Sequence, residues 1–201
     1  MKRILLATAF VISCTVGASA SENKVPLIPG VSPEIVAGNP QGDLTVVKYF
    51  DCLCGHCKAL HKPLKQFLAA DPNVKVVYRI FPVFGKDSKA LGRIVIAAAQ
   101  QGKFEIVHHT LMTTQIKSYE QIFATLKKEG VDVQRLKRDA QSKAVGARLA
   151  QDIRYGFKHQ INGTPTLVFG GKVIKGAGGL QLHHLRELAK KYRQKVREDS
   201  I

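Results

Sequence analysis

The spacing of apolar residues changes several times along the chain, and each change predicts an element. "LTVVKYF" (44–50) is β-branched, aromatic and mostly apolar, the pattern of a buried strand. From about Cys54, apolar residues at 60, 64, 67 and 68 recur at helical spacing until the turn residues "DPN". Pro63 falls inside this helix and is expected to kink it, because its ring clashes with the carbonyl of Ala59. "VKVVYRIF" (74–81) alternates, placing Val74, Val76, Tyr78 and Ile80 on one face of a second strand. From about Ser88 to Phe157 the pattern is helical, in segments near 88–101, 104–113, 119–129, 133–141 and 143–157. "GTPTLVFGGKVI" then reads as two strands joined by a Gly170-Gly171 hairpin turn. "GAGG" leads into a last amphipathic helix with Leu185, Leu188, Ala189, Tyr192 and Val196 on one stripe.

This order, strand–helix–strand, a helical block, then strand–strand–helix, predicts an α/β protein. A central mixed β-sheet is flanked by helices and interrupted by an inserted α-helical domain. The discontinuous sheet domain takes 44–86 and 159–201, and the insertion takes 87–158. Ahead of it, residues 21–43 form a turn-rich N-terminal leader, and residues 1–20 have the layout of a signal peptide. Lys2 and Arg3 open that peptide, an apolar stretch follows, and Ala18-Ser19-Ala20 fits a cleavage site. The apolar run is too short to span a bilayer, which takes about 20 residues. Cys14 raises lipid modification as an alternative, but "VISC" matches the usual box before a lipidated cysteine poorly.

Export changes how charge and cysteines are read. The formal charge is +16, and +14 without Lys2 and Arg3, which suits anionic partners. Nucleic acid is disfavoured by export, by the absence of Trp and by the lack of an Arg-rich stripe interleaved with aromatics. The scattered basic residues read as a solvated surface. Beyond residue 20 the cysteines are Cys52, Cys54 and Cys57, odd in number and all local, so they do not staple a small domain.

Three thiols in six positions point to chemistry at one place. A C-x-x-C pair is redox-active when its first Cys opens a helix directly after a strand. There, unpaired N–H groups and the partial positive charge favour thiolate over thiol. Cys54 and Cys57 have that context, whereas Cys52-x-Cys54 would close a strained ring in an extended segment. Gly55 suits the turn, and His56 is expected to stabilise the Cys54 thiolate. The expected working pair is Cys54–Cys57.

"VVKYFDCLCGHCK" together with "INGTPT" and "RIFPVFGKDSKA" resembles the DsbA family of bacterial thiol–disulfide oxidoreductases, within the thioredoxin superfamily. The resemblance covers about residues 36–198. It implies a thioredoxin-like fold with a helical insertion, which accounts for the 111-residue gap between Cys54 and Pro165. It also implies a cis bond at Thr164-Pro165, with Gly163, Thr164 and Pro165 binding an extended substrate and Pro165 joining Cys54, His56 and Cys57 in the catalytic set. The implied protein is a periplasmic monomer without a stable membrane anchor, needing no cofactor or metal beyond its redox-active disulfide. Its implied partners are unfolded or reduced exported proteins and a DsbB-like quinone-coupled membrane protein that reoxidises it.

Two positions depart from that family. Lys48, six residues before Cys54, stands where a carboxylate is usual. Pointing inward it would favour thiolate, make the disulfide more oxidising and lower its own pKa; pointing outward it would only be solvated. Cys52 stands where an aromatic is common. It reads as a small buried residue, a spare thiol, or, with His56 and the pair, a soft-metal ligand. A tetrahedral metal site normally draws on a second ligand segment, and neither His108-His109 nor His183-His184 supplies one; these read as surface histidines. A disulfide isomerase or reductase, sharing the "CGHC" sequence, is the competing enzyme reading, and a soft-metal-binding exported protein the non-enzymatic one.

Overall fold

The computed structural model describes residues 35–199. The expected signal peptide, Cys14 and most of the leader lie outside the described residues. The strands are β1 (Ile35–Gly38), β2 (Leu44–Phe50), β3 (Val74–Ile80), β4 (Thr166–Phe169) and β5 (Lys172–Lys175). They form one mixed sheet in the order β1-β3-β2-β4-β5. β1 lies within the segment read as a leader; it pairs antiparallel with β3, Ile35 opposite Tyr78. Four residues among prolines and glycines are too few to show a period, which is why the pattern did not reveal it.

β2 is central, parallel to β3 and antiparallel to β4. Because β4 runs the opposite way, its start lies beside the end of β2, with Thr166 opposite Tyr49. This register brings Thr164-Pro165 to the cysteine segment that leaves β2. The parallel β2–β3 connection is made by α1 (Gly55–Ala70), which continues through the buried Pro63. Gly170 and Gly171 turn the β4–β5 hairpin with φ of 55° and 90°, as the paired glycines predict.

Five helices separate β3 from β4: α2 (Gly85–Gln100), α3 (Phe104–Thr113), α4 (Tyr119–Lys128), α5 (Val133–Ala140) and α6 (Lys143–Lys158). Ser118, Asp132 and Ser142 cap α4, α5 and α6 by accepting backbone N–H bonds. The helical block shares its core with the sheet domain: Phe50, Tyr78 and Leu64 belong to one apolar cluster with Leu91, Leu111, Ile122 and Leu136. The other sheet face is smaller and holds Val47, Tyr49, Val77, Phe81, Ile161 and Val168. Where α6 crosses β3, buried Asp152 accepts hydrogen bonds from Arg79, Arg148 and the Ile80 amide, at 3.0, 3.3 and 3.3 Å. The last helix, α7 (Leu182–Glu198), buries Leu185 and Ala189. Its Val196, placed by the apolar spacing on the same stripe, is exposed. Arg193 ties α7 down through Asp43 and Asp71 at 2.6 and 2.7 Å.

Candidate functional site

Cys54 is the N-cap of α1, with φ −72° and ψ 114°. Its amide donates to the Asp51 carbonyl at 3.3 Å, and its own carbonyl accepts from the Lys58 amide at 3.1 Å. Cys54 therefore stands at the end of α1 where backbone N–H groups are unpaired. Cys57 lies one turn inward and is fully buried. Burial pushes its thiol up to about 12, and the neighbouring Cys54 adds to the shift. Cys52, Cys54 and Cys57 are all free thiols here.

The strand exit is fixed by Asp51, whose carboxylate is buried. It accepts hydrogen bonds from the Leu53 amide at 2.8 Å, the Ser88 hydroxyl at 2.9 Å and the Val83 amide at 2.6 Å. Three donors from two loops and α2 thus lock the cysteine segment to the β3–α2 connection. Sequence reasoning missed Asp51 and Ser88, since an Asp after a strand reads as an ordinary turn residue.

Thr164-Pro165 is a cis peptide bond. The Cys54 thiol donates to the Thr164 carbonyl at 3.3 Å, across 110 residues of sequence. Thr166 Oγ1 donates to the Gly163 carbonyl at 2.8 Å, and the Ala177 amide to the Pro165 carbonyl at 3.1 Å, so both sides of the turn are held. Gly178 lies against His56: a Cβ there would come within 2.5 Å of the His56 Cβ. The "GAGG" segment is therefore small because it backs onto the first turn of α1. His56 itself is exposed.

Lys48 is completely buried, which overturns the reading of a solvated ammonium. It lies on the β2 face that carries Val46 and Phe50, because side chains alternate along the strand. Its Nζ is 5.3 Å from the Phe50 ring centre and 5.6 Å from that of Tyr78. Burial lowers its pKa to about 8, against the opposing influence of Cys57, Cys52 and Cys54. Cys52 is buried too, and burial pushes its thiol far up, with the Asp51 charge adding to the shift. It is a protonated, sequestered thiol.

The histidine pair of α3 splits between two faces, but His108 is buried, not a surface residue. Its ring packs against Phe50 and Phe104 at 5.0 Å and Tyr78 at 4.9 Å, replacing an aromatic in the core. His109 is exposed and meets His61 of α1, with Nε2 of His61 2.9 Å from Nδ1 of His109. Among the described residues, no group of three or more His, Cys, Asp or Glu is arranged to hold a metal ion. No helix among them is long and apolar enough to cross a membrane.

Comparison with known proteins bears on this geometry directly. Residues 45–189 match the family described as the DSBA-like thioredoxin domain. The chain belongs to that family. A thioredoxin-like oxidoreductase from Silicibacter pomeroyi DSS-3 superposes with a TM-score of 0.74 at 34% identity, covering 80% of this chain and 92% of that one. The thiol–disulfide exchange protein alpha-DsbA2 of Wolbachia pipientis gives 0.66 at 23% identity, covering 79% and 85%. Oxidised BdbD of Bacillus subtilis gives 0.68 at 20% identity, covering 82% and 96%. With these last two the shared property is the fold. A stretch of the Na(+)/H(+) antiporter NhaA 3 of Salinispora tropica is 26% identical over 158 residues, which is 76% of this chain but 24% of that protein. The chain spans about a quarter of the length of the curated relatives it matches.

Proposed function

We propose that the chain is an exported thiol–disulfide oxidoreductase that oxidises dithiols of other exported proteins through Cys54 and Cys57. The observation that carries this reading is the Cys54 sulfur at the tip of α1, 3.3 Å from the carbonyl of Thr164 before the cis proline. A thiolate of an extended substrate attacks Cys54 of the oxidised pair. The Cys54–Cys57 bond breaks, and Cys57 takes up the leaving electron pair and a proton. A second substrate thiolate then attacks the substrate sulfur of the mixed disulfide, releasing substrate disulfide and Cys54 as thiolate.

The Thr164 backbone would pair with that substrate as an added strand, as edge backbones do elsewhere. Val83, Phe84 and Phe157 are exposed apolar residues at the same end of the sheet. Phe157 packs on Phe81, and the Phe81 amide donates to the carbonyl of Phe50, four residues before Cys54. Such a surface fits unfolded chains whose apolar side chains are still accessible. Reoxidation would fall to a DsbB-like quinone-coupled membrane protein, in the periplasm.

The test is to mix the oxidised protein with a reduced, unfolded two-cysteine protein and follow its disulfide. Stoichiometric oxidation supports the oxidase. Efficient reshuffling of a scrambled substrate by the reduced protein, with slow net oxidation, would assign an isomerase instead.

A further inference from the structure

α1 and α3 meet along a seam that carries three histidines. His108 fills the core, and the ring of His61 rests against it with 5.1 Å between centres. His61 is half-buried and His109 is exposed. Nε2 of His61 stands 2.9 Å from Nδ1 of His109, so two nitrogens 48 residues apart in the chain are brought together from different helices.

We propose that His61 and His109 bind a divalent transition-metal ion that bridges α1 to α3, with water completing its coordination. The site uses none of the thiols and goes beyond the redox reading above without depending on it.

Spacing and donor type carry the inference. Two imidazole nitrogens on one ion, each at about 2.0–2.1 Å, stand about 2.9 Å apart at a right angle and about 3.3 Å apart at the tetrahedral angle. The 2.9 Å between His61 and His109 is at the lower end of that interval, so an ion enters by turning the two rings rather than by moving the helices. As they stand, the two nitrogens share one hydrogen bond. When an ion takes its place, one ring shifts its proton to its other nitrogen, both rings stay neutral, and two lone pairs face the ion.

The surroundings select the kind of ion. Lys48 and Lys65 act on His61, and among the described residues no carboxylate or thiol joins the pair to make a three-ligand set. Hard cations, which need several oxygen ligands, are therefore disfavoured. Ions with high affinity for neutral imidazole remain: Cu2+ first, then Ni2+ and Zn2+. The seam is also held before any ion arrives. His61 is backed by His108, and Lys58 Nζ donates to the carbonyl of Thr114, the C-cap of α3, at 2.7 Å.

The other histidine pair lacks this freedom. Nε2 of His183 and Nε2 of His184 are 3.1 Å apart, but Nδ1 of His184 accepts the Gln181 amide, which leaves the proton on its Nε2. An ion there must displace that proton or break the cap of α7. At the α1–α3 seam neither cost arises. An ion held there ties the helix that carries Cys57, one turn before His61, to the helical block.

The test uses the full chain with Cys54→Ser and Cys57→Ser, so that neither of those thiols can take the ion or reduce it. Titrated with Cu2+ and followed by electron paramagnetic resonance, this parent should bind one ion more tightly than about 100 µM, with hyperfine splitting from two imidazole nitrogens. Ni2+ at about a hundred times its own Kd should raise the folding equilibrium constant about a hundredfold, read as a higher urea midpoint. Adding His109→Ala, at an exposed position, should weaken Cu2+ at least about tenfold and remove the Ni2+ shift, and His61→Gln should do the same. Changing His183→Ala and His184→Ala together should leave both readouts as in the parent. Cu2+ held more weakly than about 100 µM, a signal from sulfur or from a single nitrogen, or binding that survives His109→Ala overturns the site. Loss of binding in the His183, His184 variant overturns it too, by placing the ion at the other pair.

Discussion

Removing the Asp51 carboxylate should loosen the whole site, and the structure sets the size of the effect. Asp51→Ala leaves three donors without an acceptor: the Leu53 amide, the Val83 amide and the Ser88 hydroxyl. Hydrogen bonds to a charged group contribute about 1.5–3 kcal/mol each, and a buried donor left unpaired costs about 1–3 kcal/mol. Leu53 and Val83 are partly exposed and regain water, whereas Ser88 does not. The expected loss is therefore about 3–5 kcal/mol, not the full sum. With a urea dependence of about 2 kcal/mol per molar, the unfolding midpoint should fall by about 2 M. Asp51→Asn keeps one oxygen but sets its NH2 group against an N–H donor, so it should lose roughly half as much. Both variants should also speed alkylation of Cys54, because its segment is released from the β3–α2 connection. A midpoint within about 0.5 M of wild type in the alanine variant would refute the view that this carboxylate holds the site.

Three further outcomes follow from buried groups and close contacts. Lys48→Met should stabilise the protein by about 3 kcal/mol at pH 7, since each unit of the fall from 10.5 to about 8 is worth about 1.4 kcal/mol. Below pH 8 both states carry the ammonium, so its burial cost is fully felt. As pH rises from about 8 to 10.5 the unfolded chain binds more protons, so wild-type stability should climb in chemical denaturation while the variant's does not. His61, lowered from 6.5 to about 4 chiefly by burial, works at the acid end. Between these values the unfolded state binds the extra proton, so stability should fall as pH drops through that window, and less steeply in His61→Gln. Gly178→Ala places a methyl within 2.5 Å of the His56 Cβ and must displace the first turn of α1. It should cost about 1–3 kcal/mol by thermal or urea unfolding and slow thiol exchange, whereas Gly179→Ala, with open space around it, should do neither.

Much of this architecture was legible in the chain because long periodic segments carry their own signal. The five helices between β3 and β4 follow the predicted segments to within a few residues, and "LTVVKYF" is buried on both faces as its composition implies. The Cys54 and Thr164 ends of the site were legible through their resemblance to a family, across 110 residues that no local pattern spans. What stayed hidden depends on tertiary placement. β1 is too short for a period and is a strand because β3 offers it an edge. Lys48 left two readings open, since alternation aims it inward while lysine chemistry argues outward; a packed face on β2 decided between them. His108 looked like half of a surface pair, yet it fills an aromatic slot among Phe50, Tyr78 and Phe104 that only the packing of α3 creates. Asp51 carries no sequence signal at all, because its three donors come from positions 53, 83 and 88.

Which sulfur meets the substrate is decided most directly by trapping the mixed disulfide. Cys57→Ala removes the internal thiol, so an attack on an activated disulfide stops at the first adduct, which peptide mapping by mass spectrometry then locates. The account predicts a single adduct on Cys54, the thiol at the helix tip beside Thr164, with Cys52 unmodified until the protein is unfolded. An adduct on Cys52 in the folded protein, or none on Cys54, would contradict it.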